Sequence, residues 1–141
     1  MVIQRIQTVY LLLAAIIMGV FAFVPVIKFL SPDGSFINAY DSMQCGVWMI
    51  ALEVLIAVLA LITIFKYRDL KGQIRLTNIL MLLLLALVIA IPVVLWRLHD
   101  GANVSLTLFY IMPFVALILV WLAKKGIKHD KKLLADSERI R

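Results

Sequence analysis

Apolar residues fill four long runs, Val9 to Ile27, Val47 to Phe65, Leu76 to Trp96 and Val104 to Ala123, and charged residues collect between and after them. Each run is about as long as a helix needs to cross a hydrocarbon core of about 30 Å at a rise of about 1.5 Å per residue. A lone segment in lipid must satisfy its own backbone N–H and C=O groups, so each run predicts a helix. The first run is long for the apolar part of a cleavable signal peptide. No small-residue cleavage site or lipid-acceptor cysteine follows it, so it is expected to stay as a span.

The cations set the expected orientation. One, Arg5, precedes the first run; Lys66, Arg68, Lys71 and Arg75 separate the second from the third; seven follow the fourth, namely Lys124, Lys125, Lys128, Lys131, Lys132, Arg139 and Arg141. Only Lys28 and Arg97 fall on the other side. Basic residues resist translocation, so the rich side is read as cytoplasmic, with both termini inside. Trp48 and Trp96 then mark the outer ends of spans, and Tyr10, Tyr67 and Trp121 the inner ends, as interfacial aromatics do.

The connections are short except for the outer segment between the first two spans. Ser31-Pro32-Asp33-Gly34 carries proline and glycine where a tight turn wants them, and Phe29 and Phe36 flank it, so a small hairpin is expected within residues 28–46. Asp100-Gly101 predicts a tight turn between the last two spans. Val24-Pro25-Val26-Ile27 echoes Ile91-Pro92-Val93-Val94, a match read as coincidence in so biased a composition. The small-residue pairs Ala15/Gly19 and Ala86/Ala90 are expected to pack helices within the bundle. Pro25, Pro92 and Pro113 can kink their helices, Pro113 nearest a span's middle.

Composition agrees with lipid as the solvent. The chain is 65% hydrophobic and 16% charged, whereas soluble domains run to about half and about a quarter. The net charge of +6 does not point to nucleic acid, because no basic face is interleaved with aromatics that could stack bases. With Cys45 as the one cysteine, an intrachain disulfide, a CxxC pair and a cysteine-based zinc site are all excluded.

Glu53 is the ionisable residue set well inside a span, roughly 9 Å below its outer edge by helical rise. Membrane acids are costly and invite a functional reading, here a proton- or cation-coupled site like that of small exporters that run on a membrane glutamate. The favoured alternative is a carboxylate that reaches the outer interface or pairs with Arg97, since a single acid with no second membrane charge is thin for a transporter. Arg97, His99 and Asp100 form a candidate outer polar cluster, short of a metal ligand set. Thr77 and Asn78 are expected to bond a neighbouring helix. No nucleophile elbow, zinc-protease helix or phosphate loop occurs, and His99 and His129 are the two histidines, so no enzyme activity, metal or cofactor is expected.

Five lysines between Lys124 and Lys132 would attract anionic headgroups at about 1 kcal/mol each. Ile127, Leu134 and Ile140 recur among them at helical spacing, and Lys132 and Asp136 form an i,i+4 pair, so an amphipathic cytoplasmic helix is expected. It serves either as a topology anchor or as a docking site.

Three strings resemble one known family. They are the opening Ile3-Gln4-Arg5-Ile6-Gln7-Thr8-Val9-Tyr10, the connection Phe65-Lys66-Tyr67-Arg68 with Gln73-Ile74-Arg75-Leu76-Thr77-Asn78, and the ending Ile127-Lys128-His129-Asp130-Lys131-Lys132 with Asp136-Ser137-Glu138-Arg139. Together they resemble domain of unknown function family 4293, four-span membrane proteins of Bacteroidota; the last string departs slightly from the family's Ser-Ala-Asp-Arg-like stretch. The resemblance implies a bacterial inner-membrane protein of four spans and carries no activity or catalytic residues. It directs attention to the cytoplasmic face, around Gln4, Arg5, Arg75 and Arg139.

The expectation is therefore an all-α integral membrane four-helix bundle, one domain over residues 1–141, both termini cytoplasmic. Its function is read as non-enzymatic, an accessory or interaction protein that works through a basic cytoplasmic face. Arg5, Lys66, Arg68, Lys71, Arg75, Lys124, Lys125, Lys128, Lys131 and Lys132 would meet anionic headgroups, a membrane or cytosolic partner, or a second copy. The alternative is a small transporter or channel, as a monomer or a dimer, that uses Glu53.

Overall fold

The computed structural model describes residues 2–23, 27–30, 36–38, 46–98, 104–106 and 108–140. They form four helices, α1 (Val2–Phe21), α2 (Gly46–Phe65), α3 (Leu70–Leu98) and α4 (Ile111–Ile140), with a short 3-10 turn, Leu108–Tyr110, leading into α4. Three short strands lie in the connections: β1 (Ile27–Leu30), β2 (Phe36–Asn38) and β3 (Val104–Leu106).

Along each helix the buried positions advance by alternating steps of four and three: Gln7, Leu11, Ala14, Met18, Phe21 on α1; Met49, Glu53, Ile56, Ala60, Thr63 on α2; Gln73, Thr77, Leu80, Leu84, Leu87, Ile91 on α3; Pro113, Ala116, Val120, Ala123, Ile127, Asp130 on α4. That period is the narrow seam of a coiled-coil-like bundle. α1 packs on α2 and α4, and α3 packs on the same two helices, so the chain runs up and down around a square. The start of α1, the end of α4 and the α2–α3 turn share one end, the termini end; the strands lie at the other, the sheet end.

Outside the seam the helices stay apolar. Leu84 is fully buried whereas Leu82, on the same helix, is 68% exposed. Val9, Ile16 and Val20 on α1, Val54 and Leu61 on α2, and Ile111 and Ile118 on α4 are exposed as well. Trp48 and Trp96 stand out at 79% exposure each. Trp121 and Tyr67 are exposed, but Tyr10 packs against the core instead of joining an exposed aromatic belt.

The helices depart from the apolar runs at both ends of the chain. The first run was expected to stay helical to Ile27, yet α1 stops at Phe21 and Ile27 opens β1. The fourth run begins as β3 and the 3-10 turn, and α4 then continues through the basic tail to Ile140. Apolarity alone does not separate a helix from a short buried strand. The hairpin expected within residues 28–46 is present, with Leu30 opposite Phe36 and Phe29 opposite Ile37. β3 joins its other edge, Phe29 opposite Val104, so the two connections at this end form one antiparallel sheet in the order β2-β1-β3. Of the echo between residues 24–27 and 91–94, the described Ile27 is in β1, whereas Ile91 to Val94 are in α3.

Pro113 does not lie mid-helix. It occupies the first turn of α4, where its missing N–H would have had no helical partner. Pro92 is inside α3 and removes the donor for the Val88 carbonyl, and the Tyr110 hydroxyl supplies another at 3.0 Å. The expected small-residue contacts are also redistributed. Ala15 is buried, but a Cβ on Gly19 would meet nothing within 4 Å, and Ala86 faces outward. The small residues that close the bundle are Ala14, Ala60, Ala116, Ala123 and Gly126.

Candidate functional site at the termini end

At the termini end every helix contributes a buried polar residue to the seam: Gln7 on α1, Thr63 on α2, Gln73 and Thr77 on α3, Asp130 on α4. Two of them form a bond between chain ends. The Gln7 side-chain amide donates from Nε2 to Asp130 Oδ2 at 2.7 Å, across 123 positions of sequence. Gly126, one turn before Asp130, makes room for it: a Cβ there would lie 2.9 Å from Gln7 Cγ and 3.1 Å from its Nε2. Thr63 and Thr77 instead donate to carbonyls one turn back in their own helices, Leu59 and Gln73, at 2.7 Å each, which satisfies the hydroxyls without a partner helix. Thr77 therefore does not bridge helices as expected, and Asn78 is exposed.

Around this layer Lys66, Arg68, Lys71, Arg75, Lys125, Lys128, Lys131 and Lys132 are exposed, and Lys124 is half-buried. Asp69 starts α3 as its cap, with Oδ1 accepting from the Gly72 N–H at 3.1 Å and its carbonyl from Gln73 at 2.9 Å. A Cβ on Gly72 would collide with that carboxylate. Arg68 turns back on Tyr67, donating from Nε to the phenol oxygen at 3.3 Å with the guanidinium 5.8 Å from the ring centroid. Arg68, Lys71 and Lys131 meet in a cleft of about 380 Å³ between the α2–α3 turn and the far part of α4, with Asp69, Leu134 and Glu138. Lys124, Lys125 and Lys128 gather instead around Trp121 on another face of α4. Lys66, Arg75 and Lys132 are exposed and line neither recess. The side chain of Arg5 lies outside the described residues.

The tail is helical, but its apolar positions part company. Ile127 belongs to the core, whereas Leu134 and Ile140 are exposed. From Lys131 to Ile140 every residue is exposed, with Lys131, Leu134 and Glu138 on the side that faces the α2–α3 turn across the cleft.

At the sheet end Glu53 is fully buried in the α2 seam between Met49 and Ile56, turned into the bundle and not toward its surface. The side chain of Arg97 lies outside the described residues, as do His99, Asp100, Cys45, Pro25 and the Ser31-to-Gly34 turn. Among the described residues no three His, Cys, Asp or Glu side chains cluster as metal ligands would. Sequence reasoning missed the Gln7–Asp130 bond and Gly126. Its available signal was that both polar residues continue the four-three spacing of seam residues, Leu11 and Ala14 on one helix, Ile127 and Ala123 on the other.

The fold is a four-helix bundle with a small sheet at one end, and among the described residues two helices are long and apolar enough to cross a membrane: α2 over Trp48–Phe65, mean hydropathy 2.6, and α3 over Leu70–Val94, mean hydropathy 2.7. The chain belongs to the family described as Domain of unknown function (DUF4293), matched over residues 3–140, as the three strings suggested. No curated protein and no solved structure matches it.

Proposed function

We propose that the protein is a four-span membrane protein of the bacterial inner membrane with both termini cytoplasmic, and that it acts as a non-enzymatic accessory protein presenting a helical docking element. Lipid embedding is supported by the inverted surface. Only 28% of the apolar stretch of α2, and the same share of α3, is buried inside the bundle. A water-soluble core helix would be mostly enclosed, and soluble monomers rarely expose contiguous apolar faces beyond a few hundred Å². The cation asymmetry between the two ends supports the orientation.

The docking role rests on one observation. α4 runs unbroken over its 30 residues to Ile140, and its last ten, with Leu133, Leu134 and Ile140 among the charges, touch nothing in the bundle closely enough to be buried. A topology anchor needs cations there but no ordered apolar positions. Photo-crosslinking from Leu134 and Ile140 in native membranes tests this. One discrete protein adduct, lost on Leu134→Asp, is expected; no adduct at either position refutes the docking role.

A second reading starts from Glu53, whose burial is the feature a membrane transporter would need. Between it and the polar layer at the termini end, however, the seam is filled by Ile56, Ala60, Leu80, Leu84, Leu11, Ala14, Val120 and Ala123. That apolar plug favours the accessory role.

A further inference from the structure

The face of α4 that leaves the bundle changes character at Trp121. Ile111, Phe114, Ile118 and Trp121 are exposed at steps of three and four residues, and Lys125 and Lys128 continue the same face. By helical rise these lysines lie roughly 6 and 10 Å beyond the tryptophan. With half-buried Lys124 they line a recess of about 310 Å³ against the indole. The Lys125 ammonium lies 5.7 Å from the Trp121 ring centroid, a cation–π contact that holds one charge at the apolar-to-polar boundary. None of the residues lining the recess is acidic. Asp130, the next carboxylate along α4, is turned into the bundle toward Gln7. The cleft at Arg68 differs, because Asp69 and Glu138 line it with the cations.

We infer that this face binds one anionic phospholipid. Its phosphate is held by Lys124, Lys125 and Lys128, and an acyl chain lies along Ile118, Phe114 and Ile111. The inference rests on the membrane reading above and adds a bound lipid of defined charge. Three cations without a counter-carboxylate match a phosphate whose charge no headgroup cation cancels. The apolar track that leads directly into them matches a chain attached to that phosphate, which a soluble anion lacks. The indole marks the level where one becomes the other.

The test is lipid binding by the full chain in mild detergent, read by native mass spectrometry with added phosphatidylglycerol or phosphatidylcholine. Replacing Lys124, Lys125 and Lys128 with Gln should lower retained phosphatidylglycerol about tenfold or more and leave phosphatidylcholine unchanged. Replacing Lys71, Lys131 and Lys132, the same charge elsewhere, should change it by less than about twofold. Equal loss in both variants, or none in the first, overturns the site. With all lysines intact, a Trp48→Phe/Trp96→Phe protein gives an independent readout. Phosphatidylglycerol with brominated chains should quench Trp121 more than the brominated phosphatidylcholine; equal quenching contradicts the inference. Displacement of the lipid by glycerol 3-phosphate would assign the recess to a soluble anion. Recovery of the chain without detergent would sink the membrane reading itself, a result distinct from a membrane protein with no lipid preference.

Discussion

The Tyr110 hydroxyl donates to the Val88 carbonyl, the group that Pro92 deprives of its helical partner. The bond fastens the start of α4 to the middle of α3, and the T-shaped contact between Tyr110 and Phe114, with centroids 5.2 Å apart, fixes the ring that makes it. Proline is tolerated inside a helix surrounded by apolar groups when a neighbour satisfies the freed carbonyl in this way.

Tyr110→Phe should therefore destabilise the bundle by about 1 kcal/mol, the scale of an interhelical hydrogen bond in a membrane protein. The penalty should shrink in a Pro92→Ala background, where residue 92 regains an N–H for Val88. Unfolding in detergent by a graded denaturant, run as a double-mutant cycle, measures both. Equal penalties in the two backgrounds would disconnect Tyr110 from Pro92.

The Gln7–Asp130 bond predicts an ordered series at the other end. Gln7→Leu strands a buried carboxylate and should cost about 2–3 kcal/mol. Asp130→Asn keeps an acceptor for the Gln7 amide and should cost less than about 1.5 kcal/mol. Gly126→Ala drives a methyl into Gln7 and should cost about 1–3 kcal/mol. If Gln7→Leu proves as mild as a surface change, the pair does not hold α1 to α4.

Leu82 and Leu84 are two residues apart, yet they face different surroundings. Leu84→Ala opens a cavity in the seam and should cost about 2–5 kcal/mol. Leu82→Ala should be nearly neutral in detergent, because its side chain is mostly exposed. Thermal unfolding of the two variants separates them, and similar losses would contradict the seam.

Glu53→Gln tests the transport reading. The amide fills the same volume in the α2 seam, so the protein should fold. A pH gradient across liposomes should then dissipate at the same rate with the original chain, with the variant and with empty vesicles. Proton or cation flux that requires the carboxylate would revive the transporter.

Four helices and their order were legible because uninterrupted apolar runs of spanning length carry them. Where the helices end was not. The apolar run through Ile27 continues past α1 into β1, and that from Val104 begins as β3, since strand pairing satisfies the backbone as well as helix formation does. The tail's helicity was legible in Ile127, Leu134 and Lys132/Asp136, but the boundary between core and projection fell at Asp130, where Gln7 meets it, and only the fold brings residues so far apart in sequence together. Glu53 was found because a carboxylate in an apolar run is conspicuous. Gly126 was missed because a glycine among lysines looks like a flexible point until its neighbour is known. In a sequence apolar nearly throughout, the seam is marked by four-three spacing alone, which is why Ala86 passed for a packing residue while facing out.

The account depends on lipid surrounding the helices and on the cation-rich end facing the cytoplasm. Labelling spheroplasts with a membrane-impermeant maleimide tests both directly. The native Cys45, in the connection before α2, should react in intact spheroplasts, and a cysteine at position 137 in a Cys45→Ser protein should react only after permeabilisation. The reverse pattern, or recovery of the chain in the soluble fraction, would contradict it.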